Sequence, residues 1–326
     1  MACDVSVLRN KSGASQPATG TRMHRLWTKM FQYRYVYLML LPVMLYYIIF
    51  HYFPMIGIVI AFKDYSVKYT IWENIFSTPW VGLKHFKSFF ESFYFQRVFW
   101  NTVIINLYGL IFSFPAPILL ALLLNEVRRD RFKRIVQSIT YMPHFISMVV
   151  IAGLVIDFTS SNGALNTILN MLGQESIQFL IEPDWFRPVY IISGIWQEIG
   201  WGSIIYLAAL AGVDAELYEA AVIDGAGRWK QALHVTIPCI TPTIIILLIL
   251  KVGQMMNVGV EKILLLYRST TYETADVISS YVYRRGLLEM QYSFSTAVGL
   301  FNSIINFTLL VTTNQLSRKF SETSLW

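Results

Sequence analysis

The chain has 326 residues, 55% hydrophobic and 14% charged, with a formal net charge of +6 from 26 Lys+Arg against 20 Asp+Glu. An ordinary soluble domain is about 45–50% apolar and about 25% charged, so this composition excludes a disordered chain and argues against a water-soluble enzyme. A basic excess signals nucleic acid only when it forms a stripe on a folded surface, whereas in a membrane protein it collects in the loops kept in the cytoplasm.

In chain order, residues 1–34 form a polar, basic tail with Arg9, Lys11, Arg22, Arg25, Lys29 and Arg34. The first long apolar run, 35–62, exceeds a signal-peptide core and lacks a small-residue cleavage signature, which predicts an uncleaved signal anchor. Further runs follow at 98–124, 135–158, 188–211, 237–258 and 294–316. All six are 22 to 28 residues long, and a bilayer core of about 30 Å takes roughly 20 predominantly apolar residues. The expected fold is an all-α polytopic bundle of six transmembrane helices: a tail over 1–34, a membrane domain over 35–316 and a C-terminal tail over 317–326. Pro42, Pro54, Pro115, Pro117, Pro143 and Pro242 fall in or beside these runs and predict kinked, mutually packed helices.

Loop charge orients the bundle. Arg128, Arg129, Arg131, Lys133 and Arg134 crowd the second connection, and with the basic tail they predict cytoplasmic N- and C-termini. Membrane lipid is a partner by composition. Cys3 and Cys239 lie far from any metal or disulfide spacing.

The fourth connection, 214–238, is the most informative segment. Asp214 is placed to cap a helix, Gly225 to end it, and a second short helix is expected from Ala226 until Pro238 closes it. Leu217, Ala220, Ala221 and Asp224 fall at i, i+3, i+4 and i+7, a face of mostly small side chains that permits close approach by another surface. A DNA-reading helix-turn-helix is the structural competitor, but the first helix is acidic and tethered between two spans, so no nucleic-acid partner is expected.

Glu219-Ala220-Ala221, three residues, Gly225, nine residues, then Val235-x-Ile237-Pro238 resembles the EAA loop of binding-protein-dependent ABC importer permeases, EAA-x3-G-x9-I-x-L-P. Val235 stands for the family Ile and Ile237 for the Leu. Tyr52-Phe53-Pro54-Met55-Ile56-Gly57, Ala61-Phe62-Lys63-Asp64-Tyr65, Trp80-Val81-Gly82-Leu83 and Tyr141-Met142-Pro143 are similar to the carbohydrate branch, which includes importers of alginate fragments. The resemblance implies a type I permease of the bacterial inner membrane. It implies pairing with a second homologous permease, two cytoplasmic ATPases docked on the EAA loops, and an extracytoplasmic binding protein that delivers oligo- or polysaccharide. ATPase coupling then falls to Leu217, Glu219, Ala220, Ala221, Asp224, Gly225 and Pro238.

No GxxxxGK[ST] run occurs, so ATP and Mg belong to the partner subunits, with no cofactor, metal or catalytic group expected in this chain. Polar side chains within spans are costly and usually face a bundle interior or watery cavity. Trp196, Gln197, Glu198, Trp201, Lys251, Gln254, Asn257, Asn302 and Asn306 are therefore candidates for a saccharide path, amides and cation for hydrogen bonds and indoles for stacking. The same residues could instead satisfy one another between helices, Lys251 with Glu198 for instance. An ion-coupled secondary carrier is the alternative function, though no repeated halves are visible and the EAA loop would have no purpose there.

Overall fold

A computed structural model describes residues 32–320 together with 324 and 325. Arg9, Lys11, Arg22, Arg25, Lys29 and Cys3 of the predicted tail lie outside the described residues, as do 321–323 and 326 of the C-terminal tail. The chain divides into two compact units, through Gly57 and from Ile58. The described part of the first is a helix, α1 (Arg34–Tyr47), that contains Pro42 and continues into a π turn over Ile48–Tyr52. Tyr46, Tyr47, Phe50 and His51 form a local ring cluster on it.

Helices dominate the second unit, where the one β feature among the described residues is an isolated antiparallel bridge between Lys63 and Trp80. Two short helices, α2 (Ile71–Ser77) and α3 (Lys84–Phe90), precede the long ones. Thr70 and Glu73 close a reciprocal cap at the start of α2, and hydrogen bonds from the Thr70 backbone and hydroxyl hold the exposed Glu73 carboxyl below its ordinary range. Next come α4 (Phe95–Tyr108) and α5 (Pro115–Glu126), joined by a π turn, then α6 (Asp130–Tyr141), α7 (Met148–Thr159), α8 (Ala164–Met171) and α9 (Pro183–Ala211).

Among the described residues, five helical runs are long and apolar enough to cross a membrane: Arg34–Phe62, Phe95–Glu126, Met148–Met171, Arg228–Val252 and Tyr292–Lys319. The predicted fourth span falls on α9, whose 29 residues measure about 44 Å. Gln197, Glu198 and interspersed Gly, Ser and Trp leave α9 less apolar than the others, so length and apolarity together select five helices, not six. The predicted third span, 135–158, is also not one helix. A 3-10 turn over Met142–Phe145 and extended backbone at Ile146 and Ser147 separate α6 from α7, because Pro143 interrupts the helical hydrogen bonds there. The predicted fifth span to residue 258 stops at Val252, and Gly253–Asn257 form a tight reversal.

Small residues set the packing of α9, as expected between helices that lipid does not force together. A Cβ on Gly200 would collide with the backbone carbonyl of Thr140 on α6, and one on Gly202 would lie 2.9 Å from Pro117 on α5. Two core clusters flank this contact. Ala121, Tyr206, Leu210 and Ile240 close one end of the bundle. Ile105, Ile151, Phe186, Ile263, Leu266 and Val277 fill the other.

Candidate coupling loop and transport cavity

The 214–238 segment forms α10 (Ala215–Ile223) and α11 (Arg228–Gln231) around a turn at Gly225. Asp214 Oδ1 accepts the Glu216 N–H at 3.0 Å, the predicted cap. The Ala226 N–H donates to Ala221 O at 2.9 Å and the Gly225 N–H to Val222 O at 3.0 Å, the paired closure of a Schellman turn. That closure places Gly225 at φ +75, a conformation that suits glycine. Tyr218 and Thr236 hydroxyls meet at 3.0 Å and Gln231 Nε2 donates to Ala226 O at 2.8 Å, tying the two short helices together.

Pro238 does not close the second helix. A π turn over Ala232–Thr236 leads directly into α12 (Ile237–Val252), with Pro238 in its first turn, where its missing N–H is tolerated. Leu217, Glu219, Ala220 and Asp224 are exposed and Ala221 is half-buried against the turn. Glu219 makes no ion pair among the described residues. Around them stands an apolar surface that the sequence did not single out: Val222, Leu233, Ile223 at 86% exposure and Trp229 at 83%. Glu126, the last residue of α5, lies 3.9 Å from Arg228, which puts the 126–130 connection at this same end of the bundle.

A cavity of about 680 Å³ opens between α9, α12 and the segment after Val252. Gln197, Glu198, Lys251, Gln254 and Asn257 line it together. Gln254 and Asn257 belong to the reversal after α12 rather than to a span. The predicted alternative of a Lys251–Glu198 pair is not formed. Glu198 Oε2 instead meets His144 Nδ1 at 2.9 Å, and the His144 ring lies flat on Trp201 at 4.5 Å between centroids. This clamp fastens the break between α6 and α7 onto α9. Lys251 is exposed to the cavity with no ion pair among the described residues.

The remaining candidates sit elsewhere. Trp196 points into a separate apolar hollow with Phe158, Phe179 and Trp185, on another side of α9 from the cavity. Trp201 is taken up by His144. Asn302 Nδ2 donates to Asn257 Oδ1 at 2.9 Å, and buried Asn306 accepts the Met256 N–H at 2.8 Å, so both amides brace the reversal from α16 (Tyr292–Phe320).

Two cavity residues escaped sequence reasoning, Glu261 and Lys262, on a helix in what reads as a plain connection: α13 (Val260–Leu266). Lys262 is buried, donates to Tyr190 O at 3.0 Å and lies 4.8 Å over the Tyr190 ring. Gly194 leaves room for it, since a Cβ there would come within 3.3 Å of Nζ. An isolated EK pair carries no sequence signal for this placement.

The same connection folds further into α14 (Tyr272–Ala275) and α15 (Ile278–Tyr283), organised by a fully buried carboxylate. Asp276 accepts Arg97 at 3.1 Å, Arg284 at 2.7 Å and the Ser280 hydroxyl at 2.8 Å. Asn101 Nδ2 donates to Asp276 O at 3.0 Å while its Oδ1 accepts Arg187 at 2.8 Å. The starts of α4 and α9 are thereby locked to residues 273–284, at the end of the bundle opposite the 214–238 loop.

Residues 113–322 match the family of binding-protein-dependent transport system inner membrane components. LplB of Bacillus subtilis is 44% identical over 294 residues, 90% of this chain and 91% of that protein. The polygalacturonan/rhamnogalacturonan transport system permease protein YteP, also of Bacillus subtilis, is 45% identical over 303 residues, 93% of each. A chain in the crystal structure of a bacterial alginate ABC transporter in complex with an alginate pentasaccharide-bound periplasmic protein superposes with a TM-score of 0.85. That chain is 44% identical, and the match covers 92% of this chain and 100% of it. With the family matched over most of the sequence and apolar helices of spanning length, this protein belongs to the binding-protein-dependent transport system inner membrane components, as an integral membrane permease.

Proposed function

We propose that the chain is one permease half of an ATP-driven importer of acidic oligo- or polysaccharides. It would work with a second homologous permease, two cytoplasmic ATPases and an extracytoplasmic binding protein. The observation that carries this reading is the 214–238 loop, a self-braced turn that presents Ile223, Trp229 and Leu233 outward next to the exposed Glu219. Exposed apolar patches mark protein–protein or membrane interaction sites, and the exposed acidic Glu219 beside this one favours a protein partner. An ATPase groove seats α10, the small Ala220 and Ala221 permit close approach, and Glu219 meets a basic group of the partner. Nucleotide-driven closure of the ATPases displaces the loop end, and α12 carries the displacement toward the cavity. In this reading the loop and both termini face the cytoplasm.

An acidic cargo is supported by Lys251, which lines the cavity with no ion pair among the described residues, and by two of the similar proteins, one named for polygalacturonan/rhamnogalacturonan transport and one for alginate. Gln197, Gln254 and Asn257 offer amides to hydroxyls from the same wall.

In membrane vesicles holding the whole transporter, Glu219→Lys and Ala221→Leu are expected to leave protein level and basal ATP hydrolysis in place while uptake falls by more than about tenfold. Normal uptake by both would overturn the coupling role. Lys251→Ala is expected to lower uptake of uronate oligosaccharides by about 10- to 100-fold, the range for a lost charged hydrogen bond, without altering that of a neutral one. Equal transport of uronates by wild type and variant would remove Lys251 from the path.

A further inference from the structure

Residues 128–134 hold five basic side chains, Arg128, Arg129, Arg131, Lys133 and Arg134, against one carboxylate, Asp130, a local charge of 5 − 1 = +4. The four arginines are exposed, and none of the five basic groups makes an ion pair among the described residues. On the same helix, α6, Phe132, Ile135 and Ile139 follow at i, i+3 and i+7 and are all exposed, and the stripe continues over Met142 and Phe145. Another flank of α6 is occupied, because Thr140 abuts Gly200 of α9.

Depth fixes what can cover the stripe. Gly200 is residue 18 of the 29 in α9, near the middle of a helix long enough to span the bilayer. Thr140 packs against that middle stretch, and Asp130, the first residue of α6, lies ten residues back along the helix, about 15 Å away, which is half the thickness of a hydrocarbon core of about 30 Å. With α9 crossing the bilayer, the cations fall at the phosphate level and the stripe runs from there into acyl-chain depth. A soluble anion would leave the stripe bare, and a neutral lipid would leave the arginines uncompensated. Guanidinium forks match phosphate oxygens in geometry as well as charge.

We propose that the start of α6 is a binding site for an anionic phospholipid, its phosphate held by Arg128, Arg129, Arg131 and Arg134 and an acyl chain lying along Phe132, Ile135 and Ile139. The Glu126–Arg228 pair places this site beside the 214–238 loop, so the bound lipid adjoins the segment assigned to ATPase coupling. Only the leaflet, the cytoplasmic one, rests on the transport reading.

The test uses the intact assembly exchanged into nanodiscs of equal phosphatidylglycerol and phosphatidylcholine, with retained lipids counted by native mass spectrometry. Wild type is expected to retain phosphatidylglycerol over phosphatidylcholine by at least about tenfold, and the R128Q/R129Q/R131Q/R134Q variant by near parity. The matching four-lysine variant keeps most of the preference, which separates charge from misfolding. The proposal is overturned by near parity in wild type or by undiminished preference in the glutamine variant. Loss of a co-purifying subunit from the glutamine variant with lipid preference intact would mark the patch as a protein interface instead, which also overturns it. Lipid retention needs no transport, so an assembly that selects phosphatidylglycerol yet fails to import saccharide supports this site and counts against the transport reading alone.

Discussion

Gly200→Leu is expected to abolish accumulation of folded protein in the membrane. The new Cβ would fall inside contact distance of the Thr140 carbonyl oxygen and carbon and 2.8 Å from the Tyr141 nitrogen, all backbone atoms of α6. Backbone in a helix cannot rotate aside as a long side chain can, so α6 and α9 have to part. Parting them breaks the His144–Glu198 contact and the Trp201 stack, which hold the α6–α7 break onto α9 a few residues away. Lost close packing alone costs several kcal/mol at such sites, and overpacking adds about 1–3 kcal/mol, a large share of the stability of any domain. Gly153→Ala is the matched control, since nothing lies within 4 Å of the Cβ it adds. Immunodetection of membrane fractions and the melting temperature of extracted protein read the outcome. A Gly200→Leu protein as abundant and as stable as wild type would mean that α6 does not approach α9 there.

Asp276→Asn is the second large effect. The carboxylate has 0% relative exposure and compensates two guanidinium groups at once. An amide of the same shape keeps the Ser280 contact but leaves Arg97 and Arg284 facing each other without a counter-charge. Removing one member of a buried charged set costs about 3–5 kcal/mol. The hub has little slack, because Arg97 Nε and Arg284 Nη1 already lack an acceptor within the protein. The expected result is a marked fall in melting temperature with partial recovery in D276N/R284M, where one uncompensated cation is removed as well. Equal stability of D276N and wild type, or no gain in the double variant, would show that the ionic set does not hold this end of the bundle together.

What the sequence made legible was whatever depends on neighbours along the chain. The cap at Asp214 and the turn at Gly225 are local, set by side-chain type within a few residues, and they are in place, whereas the third apolar run is broken at 142–147 and the fifth stops at Val252. The break at Pro143 was flagged as a kink but continues as a full interruption, because Ile146 and Ser147 adopt extended backbone and the His144–Glu198 contact fixes the result. The Asp276 hub was invisible. Arg97 and Asp276 are 179 residues apart, and no periodicity links them. Path residues divided for the same reason. Gln197 and Glu198 face the cavity while Trp196, their immediate neighbour, turns to another side of α9, a matter of roughly 100° per residue that depth along the span does not reveal. Lys262 carried no signal in the sequence because its burial depends on Tyr190 and Gly194, some seventy residues earlier.

The uninterrupted run from Arg228 through the π turn to Val252 has a geometric result. Its 25 residues make a rod of about 37 Å that begins at the exposed turn and ends beside Lys251. Rocking such a rod by about 5° sweeps its far tip through about 3 Å, comparable to the length of one hydrogen bond. An adjustment at the surface too small to disturb the Schellman turn is thus sufficient to make or break a polar contact at the other extremity.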